Sequence, residues 1–158
     1  MKRSHEAGLG FGITSGVITP LGLMVGLYSG TQSSLIIVGG LLTIAIADAF
    51  SDSLGIHVSK ESTNDYSTKE IWEATISTFL SKFIVSLTFV LPFFVFSVVP
   101  AVWISIVWGA FLLSLFTYFI AKKRNENPLL AIVEHLGIAG FVVVITYALP
   151  IFINSLAV

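Results

Sequence analysis

The chain contains no cysteine, which excludes disulfides, thiolate metal sites and cysteine nucleophiles. Charge is also scarce: only 11% of the 158 residues are Asp, Glu, Lys or Arg, against about 25% in soluble domains. The net charge of −1 gives no sign of a nucleic-acid partner, and none is expected, since no basic patch exists outside the loops. A P-loop, a GxGxxG after a strand, an HExxH and a CxxC are all missing. Neither enzymatic activity nor a resident cofactor is therefore expected.

What the chain has instead is length of hydrophobic run. Hydrophobic residues make up 55% of it, and the mean hydropathy is +0.94. A helix needs roughly 20 apolar residues to cross the hydrocarbon core. Five stretches meet that length, at about 9–29, 35–57, 71–96, 100–121 and 128–153. The expected fold is all-α: one transmembrane domain over 1–158 with five spanning helices, its principal partner the lipid bilayer. Met1-Lys2-Arg3 resembles the start of a signal peptide, but the run behind it is too long and too glycine-rich, so a retained helix is expected. Seven of the eight Lys/Arg (Lys2, Arg3, Lys60, Lys69, Lys122, Lys123 and Arg124) fall at the same ends of the spans. The positive-inside rule makes that side cytoplasmic, with the N-terminus in and the C-terminus out. An inner or plasma membrane of a prokaryote is the expected location.

Charge inside the spans is the informative exception. Asp48 and Asp52 are one helical turn apart in span 2 and leave the same helix face. A carboxylate at membrane depth is expensive and marks an ion or proton path. In span 3, Thr75, Thr78, Lys82 and Ser86 form one polar face, and Lys82 falls at the depth of Asp48. An Asp48–Lys82 ion pair is expected, which leaves Asp52 without a partner in the membrane. Span 1 carries the small-xxx-small series Gly12/Gly16 and Gly22/Gly26/Gly30, a surface for close approach, including that of a second copy. Its Pro20 predicts a kink at Gly16, with Ser15 and Thr19 placed either to repair it or to line an ion path. At the basic ends of the spans, Asp52, His57, Glu61, Glu73, Glu134 and His135 collect into an expected negative mouth. Glu134 is a candidate metal ligand there, and His135, Glu73 and His57 are candidates for proton or charge-pair roles. Span 4 has aromatic residues (among them Trp103, Trp108 and Tyr118) and no charge within it, and reads as a lipid-facing wall.

Two stretches carry a family resemblance. Gly12-Ile13-Thr14-Ser15-Gly16-Val17-Ile18-Thr19-Pro20-Leu21-Gly22-Leu23-Met24-Val25-Gly26-Leu27 resembles the first helix of the vacuolar iron transporter family. Gly39 to Gly55, which includes Ala47-Asp48-Ala49, resembles its second helix. The resemblance implies a five-helix protomer that forms a homodimer, with a metal path between the first two helices. It also implies export of a divalent cation, Fe²⁺ or Mn²⁺, from the cytosol in exchange for protons. Ser15 stands where the family has an aspartate, and Asp52 where it has a methionine. The short loop from Val58 to Lys69 replaces a metal-binding domain found in many members. An oxygen site of Asp48, Asp52, Ser15 and Thr19 favours hard ions such as Mn²⁺, Mg²⁺ or Ca²⁺.

Three readings compete. The first is a divalent-metal transporter, with a transporter of another cation as its variant. The second is a membrane scaffold of the same fold that transports nothing. An intramembrane aspartyl protease needs carboxylates converging from two helices, whereas both acids here lie on one.

Overall fold

A computed structural model describes residues 2–63 and 65–156, with the side chains of 2 and 3 left undescribed. The elements, in order, are α1 (Lys2–Thr31), α2 (Ser34–Glu61), α3 (Thr68–Thr88), the single turn α4 (Pro92–Val95), α5 (Val98–Lys123) and α6 (Pro128–Leu156). No strand occurs among the described residues. Among the described residues, five segments are long and apolar enough to cross a membrane: Ser4–Thr31, Ser34–Glu61, Thr68–Val95, Val98–Lys123 and Pro128–Leu156. The protein is an integral membrane protein.

The helix ends follow local chemistry. The Ser33 hydroxyl accepts from the Ile36 amide to start α2. Ser67 and Glu70 close a capping box at the start of α3. Gln32 and Asn125 adopt left-handed backbone angles, φ 51° and 57°, where α1 and α5 stop. Span 3, expected as one helix over 71–96, is divided. α3 ends at Thr88, a tight turn follows, and Pro92 opens α4. Proline has no N–H to give and its ring clashes with the carbonyl four residues back, here that of Thr88, so the helix stops there.

α1 is the hub, packed against α2, α3, α5 and α6. The apolar core gathers on its second half: Val17, Leu21, Met24 and Val25 meet Ile37, Leu41, Phe89 and Leu113. Its first half is different. A Cβ on Gly8 would press on Ala74 O and Ser77, and one on Gly12 would lie 2.6 Å from Thr78 O and closer still to Ser81 Oγ. On Gly16 it would lie 3.1 Å from Lys82 Cα. Glycine at every fourth position thus lets α1 and α3 meet backbone to backbone. The second series, Gly22, Gly26 and Gly30, faces Val142, Thr146 and Pro150 of α6 instead. Both rows thus pack within one chain, on α3 and on α6.

The start of α1, the start of α3 and the end of α5 share one end of the bundle: Ser4 Oγ donates to Glu70 O at 2.6 Å, and Lys123 pairs with Glu6. The aromatic face of α5 is open, with Trp103, Phe111 and Phe119 exposed, but the helix is more than a lipid-facing wall. Its other side buries Ala101, Ser105, Gly109, Leu113 and Thr117 in the bundle.

Candidate functional site: one lysine between two aspartates

Pro20 places the first stone of the site. It cannot bond the Gly16 carbonyl, yet α1 runs unbroken through it. Ser86 Oγ of α3 donates to that carbonyl at 3.4 Å, and Ser86 is buried. The repair therefore comes across the helix interface rather than from Ser15 or Thr19, as the sequence suggested. With the backbone satisfied from α3, Ser15 is free to act elsewhere. Its hydroxyl donates to Asp52 Oδ2 at 2.7 Å, and Thr19 Oγ1 lies 3.5 Å from Ser15 Oγ.

Lys82 is brought in by α3. Its side chain is 1% exposed, the largest among the fully buried residues. The ammonium donates to Ser15 Oγ at 2.7 Å and to Asp52 Oδ2, and lies 2.5 Å from Asp48 Oδ2. The expected Asp48–Lys82 pair is present. The expectation that Asp52 lacks a partner is wrong: it holds both Lys82 and Ser15. The reason is reach. Aspartates at i and i+4 lie about 5–6 Å apart at Cβ, and a four-carbon lysine stem arriving between them meets both. Asp52 is the better bonded of the two. Asp48 Oδ2 is buried and held by charge, without an aligned hydrogen bond.

Three charges and a hydroxyl thus sit together at net −1. A buried charge without a partner costs several kcal/mol, so this group is an obligatory unit. It is not sealed, however. The Asp48 and Asp52 side chains are 25% and 20% exposed, because both lie at the edge of the packed stripe of α2, beside the buried Ala45, Ala49 and Ser53. Both carboxylates are therefore partly accessible rather than enclosed.

The remaining predicted residues are elsewhere. His57 Nδ1 is 2.9 Å from Thr75 Oγ1, which itself donates to Ile71 O, so the imidazole is the donor. Its ring meets Trp72 edge-on at 4.8 Å between centroids. Glu73 is 4.0 Å from Lys69. Glu134 is exposed on α6, and His135 Nδ1 bonds the Ala131 carbonyl of its own helix at 2.8 Å. α6 packs chiefly on α1 and α5, not on α2. Among the described residues no three of His, Asp and Glu converge to hold a metal. Ser77 and Ser81, which sequence reasoning passed over, are buried where α3 meets the glycine row. Their signal was present in the same i, i+4 spacing as Gly8 and Gly12.

The chain matches no protein-family model and no curated protein.

Proposed function

We propose that this protein is a membrane transporter for a cation, and that its cargo engages the Asp48–Asp52 pair in competition with Lys82. The single observation that carries the reading is a lysine ammonium held at membrane depth by two carboxylates that remain partly open. Ionisable groups inside spans pair with one another and mark ion paths. At net −1 the group has room for one further positive charge, a proton or a cation. On this reading the basic helix ends lie on the cytoplasmic side.

The resemblance to the vacuolar iron transporter family supports a divalent cargo of the Fe²⁺ or Mn²⁺ class, exported in exchange for protons, and a homodimer in a prokaryotic inner or plasma membrane. For a divalent ion to sit between the carboxylates, Lys82 has to swing out. Oxygen ligands from Asp48, Asp52, Ser15 and Thr19 then favour hard ions. The test is uptake into proteoliposomes under a proton gradient with Mn²⁺, Fe²⁺, Co²⁺ and Mg²⁺. Flux that Asp52→Asn abolishes supports the reading.

One observation favours a scaffold without transport: Lys82 already engages both carboxylates. The triple variant Asp48→Asn, Asp52→Asn, Lys82→Met separates the two. A transporter keeps its fold and loses flux. If the wild type moves no cation at all, the scaffold reading stands.

A further inference from the structure

The geometry points to an organic ammonium ion, a positively charged amine on an apolar body, as a cargo of this site. The inference rests on the cation-transport reading above and narrows its substrate class. The Asp48–Asp52–Ser15 group already holds such an ion, because the tip of Lys82 is a primary alkylammonium. Its three N–H donors meet Ser15 Oγ, Asp52 Oδ2 and the charge of Asp48.

The second observation is independent of the charges. A groove of about 590 Å³ runs along α1, α2 and α6, lined by Thr19, Gly22, Gly26, Ile44, Thr146 and Pro150 among others, and its walls are almost wholly apolar. The groove is open along its length, so an occupant lies against it with one side exposed. The groove's lining stops one residue short of the ion group: Thr19, which lines it, lies 3.5 Å from Ser15 Oγ. Thr19 is one turn from Ser15 on α1, and Ile44 is one turn from Asp48 on α2. α1 and α2 are joined by a short turn and pack on each other, so they run antiparallel and both steps point the same way. Gly40, a turn further out on α2, faces Leu23 and Leu27 of α1. An apolar trough ending beside a net −1 group complements an amphipathic cation: its body lies in the trough and its ammonium takes the place of the Lys82 tip. A bare metal ion gains nothing from such walls.

The experiment is calorimetric titration of the full chain in nanodiscs of zwitterionic lipid, with empty nanodiscs as the blank. The probes are 2-phenylethylammonium, its neutral analogue 2-phenylethanol, and Mn²⁺. Saturable binding of the amine, with the alcohol at least about tenfold weaker, is the expected result. Asp48→Asn with Asp52→Asn should weaken the amine at least about tenfold. Ile44→Trp, which fills the groove and leaves the charges in place, should do the same and carries the test if the double variant does not fold. Leu115→Ala, at an exposed position on α5, should match the wild type. Equal binding of amine and alcohol overturns the inference, as does amine binding that Ile44→Trp leaves unchanged. Mn²⁺ binding without amine binding overturns it and leaves the cation reading standing. If neither cation binds, both fall.

Discussion

The two halves of α1 carry the same signal, glycine at every fourth position, and the fold uses them in opposite ways. Gly8, Gly12 and Gly16 meet α3 through Ser77, Ser81 and the backbone of Lys82, so closely that a single methyl group would strike main-chain atoms. Gly22, Gly26 and Gly30 meet α6 through Val142, Thr146 and Pro150, and the contact is loose enough to leave an open groove. A small-xxx-small series sets how near two helices can come. What the partner offers decides the rest. Opposite the first row are serine hydroxyls and the main chain of α3, and the result is a dense, partly polar interface. Opposite the second are the methyl groups of Val142 and Thr146, the Thr146 carbonyl and a proline.

This comparison can be broken from the first row downward. Lys82→Met should have the largest effect, because it strands two carboxylates. A loss of about 3–5 kcal/mol is expected for an orphaned buried charge, read as a lower midpoint in a thermal unfolding assay in detergent. Adding Asp48→Asn and Asp52→Asn should recover most of it, and no recovery would mean that Lys82 matters for packing alone. Gly12→Ala comes next, at roughly 1–3 kcal/mol for overpacking against backbone. Gly22→Ala, which meets only side-chain methyl groups at 3.0 and 3.4 Å, should cost clearly less in the same assay. Equal costs would remove the distinction between the rows. Ser86→Ala takes the cross-helix donor from the Gly16 carbonyl and should cost about 1 kcal/mol; an unchanged midpoint would show that Pro20 needs no such repair. The smallest effect is expected at Gly140, where a Cβ meets nothing within 4 Å. There Gly140→Ala should be neutral or stabilise by up to about 1 kcal/mol through helix propensity.

The spans were legible in the sequence because hydropathy and length decide them. The Asp48–Lys82 pair was legible because counting residues from the membrane edge gives depth. Asp52 was not, since depth says nothing of how far a flexible lysine stem reaches along the facing helix. The donor that repairs Pro20 was hidden for a related reason: Ser86 lies 70 residues from Gly16 in the chain, and local spacing suggested Ser15 and Thr19 instead. The glycine rows announced close approach but did not name their neighbours. The break before Pro92 could have been read from the proline itself, whereas α1 passes through Pro20 because α3 supplies what the ring removes.

The division of the ion group between α2 and α3 has a consequence for how the chain enters the bilayer. Synthesis delivers the two carboxylates before the lysine, so for a time α2 is a segment bearing two uncompensated acids. Insertion scales charge about 2.5–3.5 kcal/mol for each such residue at the centre of a helix. The second span is then a poor passenger alone and a good one beside the third, and α2 and α3 are expected to leave the translocon as a pair. Glycosylation-site mapping of nascent chains checks this. Chains halted before α3 should insert α2 more completely when Asp48 and Asp52 are both asparagine, and chains that include α3 should show no such gain.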